Sequence, residues 1–190
     1  MPPIWEVIVT TLSPAGAVHI APMGIREDEG QILLQPFRPS TTLENMLATG
    51  CAVVNYSDDV RVFAGCLTGR RNWATAPAST VRGRRLEDAL AHREVTVGRV
   101  EDDDVRPRLW CTSLAFESHA PFRGFNRAQA AVLEAAILVS RLHLLPREKV
   151  DAELKYLEIG LSKTAGPAEL EAWTWLMERV EAYRATVGTK

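Results

Sequence analysis

The apolar positions of this chain change period near residue 122. Before that point they come in short runs rich in β-branched and aliphatic residues, divided by turn chemistry. "IWEVIVTTL" (4–12) ends in Ser13, Pro14, Ala15 and Gly16, a turn with proline early and glycine late. "AVHIAPM" (17–23) follows, so the first two strands read as a hairpin. The charged turn "REDEG" separates them from "QILLQPF" (31–37). A short helix is expected over "TTLENMLATG" (41–50), where Thr41 and Glu44 have capping-box spacing and Gly50 stands where a helix ends. "CAVVNYS" (51–57) is apolar almost throughout, as a central strand would be. Val60 to Thr68 fits helix and strand equally, and Asn72 to Arg85 reads as loop. "REVTVGRVE" (93–101) and "RLWCTSLAFESH" (108–119) look like a closing strand pair. Six short strands with a small helix between the third and fourth predict a closed or split barrel.

From Asn126 the pattern is helical. "NRAQAAVLEAAILVSRLHLL" (126–145) opens with an Asn-x-x-Gln cap and is apolar nearly all round, so it is expected to be buried on most sides. In residues 146–164, Val150, Leu154, Leu157 and Leu161 form one stripe. In residues 166–184, Gly166 and Pro167 suit the N-cap and first helical position, and Leu170, Trp173, Met177 and Val180 form the stripe. The predicted fold class is mainly β with an α extension: a six-stranded split β-barrel over 1–122 and a C-terminal three-helix segment over 123–190.

Composition narrows the functional classes. The 190 residues are 46% hydrophobic and 24% charged, with a formal net charge of −2, which argues against nucleic acid as a partner. The basic run Arg82, Arg84, Arg85 is offset by the acidic run Glu101 to Asp104. No apolar stretch reaches the ~18 residues of a membrane span, and the start lacks the basic and small-residue marks of a signal peptide. Cys51, Cys66 and Cys111 have no C-x-x-C spacing and read as reduced, buried thiols, so a cytoplasmic protein is expected. The four histidines match no metal-site spacing, and no metal is expected. There is no G-x-S-x-G, Walker or G-x-G-x-x-G motif, so no catalytic residue can be named. If the chain is an enzyme, a cofactor carries the chemistry.

Three stretches could bind one. Ser40, Thr41 and Thr42 crowd a helix start, where free N–H groups and the helix dipole favour an anion, and Arg38 adds a full charge. The same hydroxyls also serve as plain helix caps. In "HIAPMG" (19–24), Pro22 removes a ladder hydrogen bond and Gly24 lets another group approach the backbone, at an edge strand or at a ligand. "HAPFRGFNRAQ" (119–129) sets Phe122, Phe125, Arg123 and Arg127 around a second helix start. That stretch could clamp a planar anion, or be a hydrophobic hinge with solvated arginines.

The order "VHIAPMGI…LQPFRPSTTLENMLATGCAVVNY" resembles the flavin-reductase-like FMN-binding split barrels, which have an N-x-A-P strand, a hydroxyl-rich phosphate loop, a T-x-x-N helix and a VVN strand. With "VVNYSDDVRVFA", "RGRRLEDA", "PFRGFNRAQAAVLEAAILVSRLHLL" and "LKYLEIGLSKTAGPAELEAW", nearly the whole chain is similar to the domain-of-unknown-function family four-four-seven. The resemblance implies an FMN-binding flavoprotein, an FMN-dependent oxidoreductase or flavin-reductase-like protein. It also implies a homodimer with flavin at the interface and an unknown small-molecule redox partner. The family's occurrence in methanogens and methylotrophs hints at methanopterin or one-carbon metabolism. The alternatives are a flavin carrier or sensor without turnover, and a module that keeps the barrel without flavin. The implied cofactor-binding residues are His19, Ala21, Pro22, Met23 and Gly24 for the ring, and Arg38, Ser40, Thr41, Thr42 and Asn45 for the phosphate; the aromatic–arginine cluster at the second helix start adds the expectation that Phe125 and Arg127 close over them. The sequence departs from the wider pattern twice. The loop's usual lysine is replaced by Thr41 or Thr42, and Ala-Pro-Phe-Ser becomes Ala-Pro-Met-Gly. A dimer would also cover the apolar helix after Asn126.

Overall fold

A computed structural model describes residues 2–187. The elements run β1 (Trp5–Leu12), β2 (Val18–Asp28), β3 (Gln31–Leu34), α1 (Thr41–Thr49), β4 (Cys51–Tyr56), α2 (Val60–Leu67), β5 (Thr75–Pro77), β6 (Arg84–Leu86), β7 (Ala91–Glu101), β8 (Arg108–Ser118), α3 (Arg127–Ser140), α4 (Arg147–Thr164) and α5 (Pro167–Val187). They fall into two units. One holds the chain up to Ser57 and Trp73–Phe122. The other holds Asp58–Asn72 and the described residues from Arg123 on.

The first unit is an antiparallel barrel in the order β1-β2-β3-β8-β7-β4, closed through β1–β4 pairing rather than split. Alternation along each strand sends one set of side chains inward. The interior is Val7, Val9, Ile25, Ile32, Leu34, Ala52, Val54, Val95, Leu109 and Cys111, joined by Leu43 and Met46 from α1. Helix α1 therefore lays its apolar face on the barrel interior. Its start is capped by the Ser40 hydroxyl, which accepts from the Leu43 N–H at 3.3 Å. It ends at Gly50, whose φ of 72° is the left-handed conformation that glycine adopts without strain. The ladder from β2 to β3 begins only at Ile25, while the ladder to β1 covers all of Val18–Ile25.

The stretch expected as loop, Asn72 to Arg85, instead contains β5 and most of β6, a small hairpin that straps the outer face of β1 and β4. Its apolar content is too low for period-2 reading, because polar bonds hold it. Asn55 is the hub. Its Oδ1 accepts from the Leu86 N–H at 2.7 Å, and its Nδ2 donates to the Ile8 carbonyl at 3.0 Å and the Thr10 hydroxyl at 3.2 Å. Thr10 in turn donates to the Arg84 carbonyl. At Gly83 an added Cβ would sit 2.9 Å from Val53 Cγ2, so the strap lies too close to the barrel there for any side chain. Cys66 and Cys111 are buried thiols, pushed by burial up to about 11 and about 12, far from thiolate at neutral pH.

Helices α3, α4 and α5 fill the expected C-terminal segment, and α2 joins them, so the second unit has four helices and the described residues hold five in all. The ambiguous segment at Val60 is helix α2, started by the Asp59 carboxylate, which accepts from the Arg61 N–H at 3.0 Å. It packs on α3 and α5, which places an insertion of the barrel sequence in the helical unit. The core there joins Val60 and Ala64 to Val132, Ala135, Ala136, Val139, Leu154, Trp173 and Leu176. Helix α3 stops at Ser140 rather than at Leu145, and the stripe of α5 is turned from the expected one, with Leu176 buried and Leu170 exposed. Glu169 reaches back to accept from the Gly166 N–H at 2.8 Å, which closes the start of α5.

Replacing Asn55 with Ala leaves the Leu86 N–H without an acceptor in a dry site and opens a small void. The expected cost is on the order of 3 kcal/mol, measured as a fall in the urea midpoint with unchanged slope. No change would show that the strap is not held through Asn55.

Candidate functional site

The structure gathers most of the sequence candidates around the β2–α1 region of the barrel unit. Ala21, Pro22, Met23 and Gly24 lie on β2, half-buried, in the part of the strand laddered to β1 alone. Pro22 and Gly24 share one face of the strand, and His19, Ala21 and Met23 share the other. Gly24 is small for an internal reason. A Cβ there would meet Ile4 Cγ2 at 2.7 Å, so the group that approaches its backbone is Ile4. α1 packs on β1 and β2 and is joined to β1 by Asn45, whose Nδ2 donates to the Thr11 hydroxyl at 3.0 Å. Thr11 stands opposite His19 in the ladder.

At the start of α1 the three hydroxyls divide. Ser40 is used as the cap, Thr41 is exposed, and Thr42 is buried. The first-turn amides of Thr41 and Thr42 have no carbonyl to bond within the helix. Arg38 donates through Nη2 to Asp102 at 2.7 Å, and its backbone N–H bonds the Val105 carbonyl at 2.9 Å. The β7–β8 turn is thus docked beside the helix start. Asp103 folds that turn, accepting from the Val105 and Arg106 amides, and Arg106 lies over the Phe37 ring at 4.5 Å. The donor set here is two free amides, an exposed threonine hydroxyl and one guanidinium. This is chemistry that suits a phosphate.

The remaining candidates belong to the helical unit. Phe125 is fully exposed, and Arg127 opens α3 in the helical unit. The start of α3 is already filled by the protein. Asn126 Oδ1 accepts from the Ala128 N–H at 2.7 Å, and the Thr164 hydroxyl accepts from the same N–H at 3.0 Å. Asn126 Nδ2 also donates to the Thr164 carbonyl, which ties α3 to the end of α4. The arginine–aromatic cluster around Asn126 thus frames a helix cap.

A second constellation went unread in the sequence. Glu94 is 0% exposed. Its Oε1 accepts from the Ser79 N–H at 2.7 Å and the Ser79 hydroxyl at 2.9 Å, and its Oε2 accepts from the Thr80 and Val81 amides, each at 2.7 Å. Burial alone would push this carboxyl up, but the four donors outweigh it and hold it down at about 2. His92, 1% exposed, points Nε2 at Glu94 Oε1 across 3.2 Å and Nδ1 at His119 Nε2 across 2.8 Å. The signal was present as "HRE" on a strand, where residues two apart share a face. What hid it was the strap: the donors that keep Glu94 charged come from a segment that looked like loop.

The chain belongs to the family of proteins of unknown function DUF447. The model of the family's N-terminal domain matches residues 5–120, and that of its C-terminal part matches residues 126–178. The fold is similar to that of an FMN-bound protein of this family from Methanosarcina mazei, at 22% identity over 94% of this chain and 96% of that one, with a TM-score of 0.80. It is also similar to the 2-nitrobenzoate 2-nitroreductase NbaA of Pseudomonas fluorescens, at 18% identity over 63% of this chain and 66% of that one (TM-score 0.54). A third similar structure is nitrilotriacetate monooxygenase component B from Mycobacterium thermoresistibile, at 19% identity over 63% and 70% (TM-score 0.54). No curated protein matches the sequence.

Glu94 makes stability acid-sensitive. Its folded value of about 2 lies below the ordinary 4.5, so protonation favours unfolding. Its contribution, on the order of 3 kcal/mol, is fully present above the ordinary carboxyl range and disappears as pH falls through the folded value. Urea melts at stepped pH should show this loss in the wild type and lack it in Glu94→Gln. Parallel curves for the two proteins would contradict the assignment.

Proposed function

We propose that this member of the DUF447 family binds FMN and works as an FMN-dependent oxidoreductase of the flavin-reductase-like kind. The observation that carries the reading is the pairing, in one barrel, of a β2 segment laddered on one side only with a helix start that has free amides, an exposed hydroxyl and an arginine. The family relative from Methanosarcina mazei is an FMN-bound protein, and the reductase and monooxygenase-component neighbours share the barrel.

The residues fit the group. Thr41, the amides of Thr41 and Thr42, and Arg38 would hold the phosphate. Ser40 and Asn45 act one step back: Ser40 caps the helix, and Asn45 pins it to β1. The lysine of the wider pattern is not needed where Arg38 lies beside the helix start, and a guanidinium offers a planar fork to phosphate oxygens. Ala21 to Gly24 would present peptide groups to the ring, which makes the change from Ala-Pro-Phe-Ser to Ala-Pro-Met-Gly tolerable, since side-chain identity matters little to a backbone contact. Bound FMN would supply the hydride and electron chemistry that no side-chain motif here provides.

We also place this protein as a homodimer. The apolar faces of α3 are covered by α2, α4 and α5 within one chain, so that helix no longer argues for a partner. The support comes from the family resemblance and from exposed apolar residues of the barrel unit, Trp5, Leu114 and Phe116 among them.

Mass spectrometry of ligand released from freshly purified protein should find FMN. Titration should then separate the two ends of the ligand. Arg38→Ala is expected to weaken FMN by roughly 10- to 150-fold, the equivalent of about 1.5–3 kcal/mol for a bond to a charged partner. Riboflavin binding should be unchanged. Asp102→Asn, which frees Arg38 from the contact that keeps it near the helix start, is expected to weaken FMN binding slightly, through the cost of ordering the side chain, and to leave riboflavin alone. Equal losses for both ligands in Arg38→Ala would place the phosphate elsewhere.

A further inference from the structure

Glu94, His92 and His119 stand in a line that the strap alone does not require. The carboxylate of Glu94 is ionised and has no proton to give, so the proton between it and His92 must sit on His92 Nε2. In the neutral imidazole, which has a single N–H, His92 Nδ1 then carries a lone pair and must accept, which makes His119 Nε2 the protonated nitrogen of the outer ring. His119 is left with a bare Nδ1, on a side chain that is 19% exposed at the end of β8. One buried charge thus sets both tautomers.

The ring geometry supports a shared proton. The two imidazoles lie within 5° of parallel with centroids 5.0 Å apart, and the nitrogens meet at 2.8 Å. These values are those of coplanar rings meeting edge to edge along the N···N line, not of rings stacked face to face. Two imidazoles that hold one metal ion must instead aim their lone pairs at a point off that line. Although Glu117 lies close enough to complete a cluster with the two histidines, the arrangement suits a proton and not an ion.

We propose that His119 Nδ1 is an acid–base site that accepts the proton of a hydroxyl-bearing small molecule, with His92 and Glu94 as positioning residues. In that step the O–H bond breaks, the Nδ1–H bond forms and the electron pair stays on oxygen. The positive charge gained by His119 is relayed through its Nε2–H and His92 toward Glu94, and no heavy atom has to move. The groups facing the ring are consistent with this role. Burial, and then the Arg85 guanidinium on β6, hold His119 below the usual histidine range, so the ring is neutral and able to accept. Arg85 also favours the oxyanion left behind. Glu117 on β8, 3.9 Å from Nδ1, favours the imidazolium once it forms. The inference stands apart from the FMN reading, since it uses none of the β2–α1 residues.

Long-range nitrogen–proton NMR of the histidine rings in the whole protein tests it, with and without added FMN. The expected spectrum at neutral pH shows His119 and His92 both protonated on Nε2, with His119 Nδ1 bare. Titration with p-nitrophenol as the hydroxyl probe should shift the His119 Nδ1 resonance, and His119→Gln should abolish probe binding without loss of fold. In Glu94→Gln the Nδ1–H tautomer of His119 should become populated. Should that variant fail to fold, Ser79→Ala removes one donor to Glu94 and should produce the same change in smaller measure. A wild-type His119 protonated on Nδ1, or an Nδ1 resonance indifferent to the probe, would overturn the proposal. Absence of FMN from the purified protein would leave it standing.

Discussion

A carboxylate kept charged without water is the constraint on which the outer wall of the barrel depends. Glu94 lies on β7 opposite Val53 of β4, and it faces away from the inward Val95, where a bare barrel would leave it in solvent. The strap covers it, and a buried charge is tolerated only when its lone pairs are filled. Ser79, Thr80 and Val81 supply three consecutive backbone donors and one hydroxyl, so the position of the strap follows from the charge. Remove the charge and three amides lose their acceptor together. The Asn55 hub and the missing Cβ of Gly83 then fix the remainder of the segment against β1 and β4.

This arrangement explains which parts of the structure were legible in the amino-acid sequence. Strands whose inward residues are Val, Ile and Leu could be read from alternation, and α1 from its cap, its Gly50 and its Leu43–Met46 face. The β5–β6 hairpin could not be read, because its stability comes from Thr10, Asn55 and Glu94 on other strands, far away in sequence. Helix α2 was ambiguous for a related reason. Val60, Val62, Phe63 and Ala64 are nearly all buried, so the polar face that would have revealed a helical period is missing. The turned stripe of α5 reflects competition between apolar residues on several faces, which only packing against α2 and α3 decides.

The candidate site divides in the same way. The α1 start was visible because capping and anion binding draw on the same residue types, and the structure assigns them separately: Ser40 to the cap, Thr42 to the interior, Thr41 to the surface. The second helix start, at Asn126, looked similar in sequence and is not similar in space. Asn126 and Thr164 satisfy its donors internally, whereas the donors at Thr41 and Thr42 are left over. The Glu94–His92–His119 line was invisible because its partners are spread over 27 residues, from His92 to His119, and depend on the antiparallel pairing of β7 with β8.

The Arg38–Asp102 pair shows how such a helix start can be held ready for an anion. Asp102 is 76% exposed and Arg38 37%, so water and salt screen the pair. Surface pairs of this kind contribute about 0–1 kcal/mol. That is too little to stabilise the fold, but the pair stops the arginine from wandering, and the backbone bond from Arg38 to Val105 fixes the base of its side chain. In the proposed reading, an incoming phosphate would meet a guanidinium that is already near the helix start and that would give up little by changing partners. A buried Asp102 would have made that exchange expensive, and an unpaired Arg38 would have had to be ordered at the moment of binding. The weakness of this contact is what would let the guanidinium turn from Asp102 to the proposed phosphate.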